Sequence, residues 1–353
     1  MGRYAIIGTG AIGGYYGACL QRGGADVHYL LHRDYEAVAG HGLSVRSIAG
    51  DFTLPRVNAY NCTTAMPAVD VVIIALKTTQ NHELPELVKP LLGPDTALLT
   101  LQNGFAIENE LQAWAGDRPI LGGLCFICSN KVGPGQIHHL DYGHVLLGQH
   151  YPDQQPRPLS PVLAGIAADF QAAQIAVDTT PDLRLARWRK LVWNIPFNGL
   201  SVVMNATTEV MMADPDIRHL AVQLMQEVVA AARQDGDRLS PGRGRHLPDD
   251  LISKMLASTE RMAPYRTSMK IDYDQARPLE VEAIFGNPLR AAQAAGAAVP
   301  RIEMLYHQLK ALDRQNLAAG AEGVNITGKQ VRKDHNHPFR PGFNIGTQGH
   351  ARL

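Results

Sequence analysis

Tyr4-Ala5-Ile6-Ile7-Gly8-Thr9-Gly10-Ala11-Ile12-Gly13-Gly14-Tyr15-Tyr16-Gly17 decides the fold. A short apolar strand runs straight into G-x-G-x-x-G, and a helical run to about Gln21 follows. Strand before and helix after is the context in which this motif reads as a dinucleotide site. Gly8 permits the tight turn, Gly10 lets backbone approach a pyrophosphate, and Gly13 lets helix and strand pack closely. The phosphates would sit at the helix N-terminus, where free N–H groups and the dipole favour anions. Gly8, Thr9, Gly10, Ala11, Ile12 and Gly13 are thus the expected cofactor cradle, with a merely structural Gly-rich turn as the bland alternative.

Working outward, a second strand, Asp26 to Leu31, ends in His32-Arg33-Asp34. An NAD site wants an acidic side chain at that strand end, and an NADP site wants a cation for the 2′-phosphate. Arg33 can grip a phosphate bidentately, so NADP(H) is the expected cofactor. Asp34 lies beyond the strand and could cap the next helix. Segments 42–47 and 51–59 read as two strands around a turn. Asp70 to Leu76 is a continuous apolar run, as in a buried parallel strand, and ends at Lys77. A helix is expected from Glu83 to Leu92, then a strand from Ala97 to Thr100, then Asn103-Gly104. In a doubly wound sheet such strand ends face the ligand crevice. Lys77 is either a cofactor or substrate contact there or an ordinary strand-end lysine. Asn103 is either a plain turn residue or a contact to nicotinamide or substrate.

The strand 120–127 leads into Cys125-Phe126-Ile127-Cys128, a CxxC without a second ligand pair at metal spacing, so both cysteines read as buried and structural. Segments 135–139 and 144–148 read as a hairpin. His138 and His139 point to opposite faces and make no natural metal pair. A Pro/Gln-rich link, 151–159, precedes a helix at about 160–172 and a strand at 173–177.

Thr180 with Pro181 reads as a helix start. That helix carries Arg189-Lys190-Leu191-Val192-Trp193-Asn194-Ile195-Pro196-Phe197-Asn198. Lys190, Asn194 and Asn198 share one face. Their neighbours are apolar nearly all round, so the helix should be buried, and a buried lysine and two buried amides need partners. Helices are expected at 220–235, 251–262 and 300–312. Pro278 can open a further one bearing Glu280 and Glu282. The Gly/Pro/Arg-rich stretch 236–250 reads as a solvated loop.

The chain has 353 residues, enough for two domains, and Lys plus Arg equals Asp plus Glu at 33 each. That balance gives no case for nucleic acid or an anionic membrane. The apolar runs are strand-length, far short of a membrane span. With a strand at Tyr4 and no signal peptide before it, and four cysteines in so long a chain, a cytoplasmic protein is expected.

The motifs GTGAIGGYYG, LKTTQ (76–80), LQNG (101–104), KLVWNIPFN (190–198) and SMKIDYDQARPLEVEAIFG (268–286) resemble, in order and spacing, those of the ketopantoate reductase (2-dehydropantoate 2-reductase) family. The resemblance covers about residues 3–316. It implies an α/β fold: an N-terminal Rossmann domain at 1–178 and an all-helical C-terminal domain, 6-phosphogluconate dehydrogenase C-terminal-like, at 179–324. The polar basic segment 325–353 is expected to be a disordered tail. It implies NADPH-dependent reduction of ketopantoate to pantoate, in pantothenate and coenzyme A synthesis. By the same resemblance Lys190 is the general acid and Glu280 the active-site carboxylate. Asn194, Asn198, Ser268 and Asn103 contact substrate, while Arg33, Lys77 and Asn103 join the glycines around the cofactor. The implied partner is a small 2-keto acid, with no nucleic acid and no membrane, and a homodimer is compatible with this. Thr208 and Tyr265-Arg266 depart from the family pattern near the substrate. The rival expectations are a same-family reductase of another 2-keto acid, a hydroxy-acid dehydrogenase, or a non-catalytic NADP(H) sensor.

Overall fold

A computed structural model describes residues 1–262 and 265–325, with side chains to residue 319. Most of the segment set apart as a tail, 325–353, lies outside the described residues.

The first half alternates strand and helix. It runs β1 (Arg3–Ile7), α1 (Ala11–Arg22), β2 (Asp26–Leu30), α2 (Tyr35–His41), β3 (Leu43–Ser47), β4 (Phe52–Leu54), β5 (Asn58–Tyr60) and β6 (Val69–Ile74). Then come α3 (Leu84–Val88), β7 (Leu92–Thr100), α4 (Ile107–Ala115), β8 (Ile120–Gly133), β9 (Gln136–Gln149), α5 (Pro161–Ala172) and β10 (Val177–Thr180). Among the described residues these strands form one sheet, ordered β4-β3-β9-β8-β7-β6-β1-β2-β5, with β10 beside β9. From β5 through β8 every pairing is parallel. Reading from β5, the order is that of a doubly wound dinucleotide fold, with its switch point between β1 and β6. Register levels the strand tips: Ile7 sits against Leu30 and Ile74, and Ile74 against Thr100. The segments after those tips therefore open on one crevice.

The second half is helical: α6 (Leu183–Val203), α7 (Thr208–Ala213), α8 (Pro215–Leu239), α9 (Leu251–Glu260), α10 (Ser268–Asp274), a π-turn at Glu282–Gly286, α11 (Asn287–Ala294) and α12 (Pro300–Asn325). Its core centres on α6, whose Trp188, Leu191, Val192, Ile195 and Phe197 are all nearly inaccessible. Each such side chain contributes about 1.5–3 kcal/mol of burial. Asp182 caps α6 by accepting from Leu185 N at 2.9 Å. The helix ends where Asn205 turns left-handed, at φ 50°.

Several local expectations change. The cap of α6 is Asp182, because Thr180 Oγ1 is already taken up accepting from Asp182 N. The strand expected at 173–177 starts at Val177, since Gln174 at φ 60° cannot continue an extended chain. Segments 135–139 and 144–148 are one strand, β9, and its hairpin partner is β8. Tyr142 and Gly143, at φ 61° and 115°, insert a bulge that imitates a turn in the sequence. The run 51–59 splits at Pro55 into β4 and β5, at opposite ends of the sheet. The helix expected from Glu83 to Leu92 is short and flanked by 3₁₀ turns, with Pro85 and Pro90 limiting it. The helix expected at 220–235 runs on to Leu239, and Arg245 in the supposed solvated loop is buried against Asp182.

Candidate active site

Between the strand tips and α6 lies a cleft of about 1520 Å³. Gly8, Thr9, Gly10, Ala11 and Ile12 line one end of it. Gly13 lies behind them: a Cβ there would be 2.3 Å from the Gly8 carbonyl oxygen, so the loop closes only with glycine. At Gly10 a Cβ would meet nothing within 4 Å. Packing therefore does not demand glycine at position 10. The open ground there, before the first N–H groups of α1, is a cradle that a pyrophosphate fits. Thr9 Oγ1 donates to Leu30 O at 2.9 Å and ties the loop to the tip of β2. Arg33, exposed, stands at that end of the cleft beside Asp34.

At the other end α6 presents Lys190, Asn194 and Asn198 to the same cleft. Lys190 Nζ donates to Asn103 Oδ1 and to the Cys125 carbonyl oxygen, both at 2.8 Å, and lies 5.4 Å from the centre of the Phe126 ring. Asn198 is 3% exposed and its Oδ1 has no partner among the described residues. Pro196, inside the helix, has no N–H to give Val192 O. Ser268, at the start of α10, lines the same cleft. Asn103 is placed by the turn after β7. Gly104, at φ 117°, packs so closely on Ala283 that a Cβ would lie 2.7 Å from its carbonyl oxygen. Phe105 N donates to that oxygen at 2.9 Å. The Asn103 turn and the 280–286 segment are thus one unit.

Glu280 precedes the helical turn rather than riding in it, and its carboxylate reaches back to the sheet. It accepts from Thr78 N at 2.9 Å and Thr78 Oγ1 at 3.0 Å, and pairs with Lys77 Nζ at 3.2 Å. Asp272, 3% exposed, takes the same ammonium at 2.8 Å. Glu280 is therefore not a direct partner of Lys190. The 268–286 segment gave no sign of the roles of Asp272 or Thr78, because Asp272 acquires its role from Lys77 and Thr78 from Glu280, each about 200 residues away in the chain.

The two lysines are driven apart. The Lys77 side chain is 44% exposed, and the partial desolvation of its ammonium is outweighed by the Glu280 and Asp272 carboxylates, which hold its pKa above the ordinary 10.5. Burial lowers the Lys190 amine to about 8, helped by the Arg187 guanidinium and opposed by Cys125 and Glu280. Lys77 is a fixed cation, whereas Lys190 can give up a proton near neutrality. Cys125 and Cys128 are free thiols in strand β8, and burial raises both. No group of His, Cys, Asp and Glu among the described residues could hold a metal. Thr208 faces away from substrate ground: it is buried, and its N and Oγ1 clasp the Tyr265 backbone.

The family model described as "Ketopantoate reductase PanE/ApbA" matches residues 4–152, and "Ketopantoate reductase PanE/ApbA C terminal" matches residues 182–313. The chain belongs to the ketopantoate reductase family. A 2-dehydropantoate 2-reductase of Nostoc sp. is 55% identical over 314 residues, covering 89% of this chain and 96% of that protein. Among solved ketopantoate reductases, the 2-dehydropantoate 2-reductase of Geobacter metallireducens is 42% identical with TM-score 0.81, over 90% of this chain and 99% of that one. The Methylococcus capsulatus enzyme is 33% identical with TM-score 0.79, over 89% and 97%. No helix among the described residues is long and apolar enough to cross a membrane.

Proposed function

We propose that this chain is an NADPH-dependent oxidoreductase that reduces 2-dehydropantoate to pantoate, with Lys190 as its general acid. The observation that carries the reading is the amine held at about 8 on the cleft face of α6, within hydrogen bonds of Asn103 and Cys125 O. When bound, NADPH would supply the hydride for the ketone carbon. Negative charge then develops on the ketone oxygen. The Lys190 ammonium stabilises that charge and passes a proton from Nζ to the oxygen. Asn103 and the Cys125 carbonyl orient Nζ while it is charged. Asn194, Asn198 and Ser268 offer amide and hydroxyl groups to the substrate's hydroxyl and carboxylate, and the unpartnered Asn198 Oδ1 is suited to a hydroxyl donor. Glu280 acts as a charge at a distance, supporting the Lys190 ammonium and fixing Lys77 and Thr78. Gly8 to Gly13 and Arg33 take the cofactor's phosphates, and Lys77 closes the cofactor side.

A non-catalytic sensor has no use for an amine tuned in this way. The four cysteines of the chain are all free, as suits a reducing compartment such as the cytoplasm. The test is NADPH consumption with 2-dehydropantoate beside pyruvate, 2-ketobutyrate and 2-ketoisovalerate. A site built around a substrate hydroxyl rejects analogues lacking it by orders of magnitude. Equal rates with 2-ketoisovalerate would replace the substrate while keeping the chemistry.

A further inference from the structure

Asp34, beyond the tip of β2 and next to Arg33, puts a carboxylate close to where an NAD-selective site keeps the acidic group that binds the ribose hydroxyls, so its presence there is at odds with an NADP site. The structure resolves the conflict with a residue from a different part of the chain. Lys131, near the end of β8, places Nζ 2.5 Å from Asp34 Oδ2. The same ammonium donates to the Thr9 carbonyl oxygen at 3.1 Å, so it bridges the glycine loop and the end of β2. Gly135 N donates to the same Asp34 Oδ2 at 3.3 Å. The Asp34 side chain is only 10% exposed, whereas Arg33 is exposed and makes no ion pair among the described residues. All three side chains border the cleft.

We infer that Lys131 is a specificity-determining residue: by holding Asp34 it withdraws that carboxylate from the ribose, leaving Arg33 to receive a 2′-phosphate. A free carboxylate there would repel the phosphate and offer an acceptor to a 2′-hydroxyl. With Lys131 in place the local charge of the Lys131–Asp34 pair is zero, and the guanidinium sets the sign. The inference rests on the NADPH reading above and names the device by which that cofactor is chosen.

The experiment titrates wild type, K131M, D34N and K131M/D34N with NADPH and with NADH, following quenching of protein fluorescence, and repeats the comparison as KM. K131M should weaken NADPH on the order of tenfold, from one unscreened like charge near the phosphate. NADH should bind no more weakly than to wild type. K131M/D34N should recover NADPH affinity, because the charge that Lys131 masks is gone. D34N alone should keep the preference for NADPH, which secures a readout if K131M does not fold. Equal weakening of both cofactors in K131M, or no recovery in the double variant, would make Lys131 a mere hairpin anchor and overturn the inference. Loss of the NADPH preference in D34N would overturn it too. A wild-type protein that binds NADH as tightly as NADPH would instead sink the NADPH reading itself.

Discussion

Replacing Asn103 by alanine removes one of the two acceptors that hold the Lys190 ammonium. A hydrogen bond to a charged group is worth about 1.5–3 kcal/mol. It favours the protonated amine over the neutral one, and about 1.4 kcal/mol corresponds to a tenfold change in protonation. The Lys190 pKa, already lowered to about 8 by burial, should therefore fall to about 6–7 in N103A. The sign is unambiguous, because the reduction needs the acid form and the rate is lost as pH rises through the pKa. With the limb at about 6.5, kcat/KM near pH 7.5 should drop about eightfold from protonation alone, and that part should return near pH 5.5. The assay is the pH profile of kcat/KM for the keto acid under saturating NADPH, whose limb reports the amine before the keto acid binds, whereas weaker binding lowers the whole profile without moving the limb. A limb that stays at about 8 in N103A would refute the assignment of either the titrating group or its partner.

Three further outcomes follow from the same geometry. Gly10→Ala should leave the melting temperature within a degree or two, since its Cβ meets nothing, yet cost at least about tenfold in NADPH affinity by occupying the phosphate ground. Gly13→Ala should do the reverse first, lowering stability by about 1–3 kcal/mol because its Cβ collides with Gly8 O, as thermal melts of the two variants side by side would reveal. Glu280→Ala strips the acceptor from Thr78 N and Oγ1 and a partner from Lys77, so unfolding free energy should fall by about 1–3 kcal/mol in urea titrations.

Much of this was written locally in the chain. The glycine loop between strand and helix fixed both the sheet type and the cofactor end of the cleft. Spacing along α6 put Lys190, Asn194 and Asn198 on one face, and the structure gives that face to the cleft. What stayed hidden depends on distant partners. Nothing near Asp34 announces Lys131, and nothing near Glu280 announces Thr78, so the carboxylate that the resemblance placed in the active site proves to be bonded to the turn that follows β6. Backbone irregularity hid the rest. The Tyr142–Gly143 bulge made one strand look like two, and left-handed Gln174 displaced the next strand by several residues. Departure from the family pattern at Thr208 looked like a substrate change, but the side chain is occupied with the Tyr265 backbone, leaving Tyr265 itself on the cleft wall.

The role proposed for Lys190 is to donate the proton in a keto-acid reduction. A single-turnover experiment tests it directly: enzyme preloaded with NADPH is mixed with 2-dehydropantoate, and both NADPH absorbance and pantoate are followed for wild type and Lys190→Met. Wild type should form one pantoate per NADPH consumed. Lys190→Met should bind NADPH normally and react about 10²–10⁴-fold more slowly. Reaction of Lys190→Met at the wild-type rate would contradict that role.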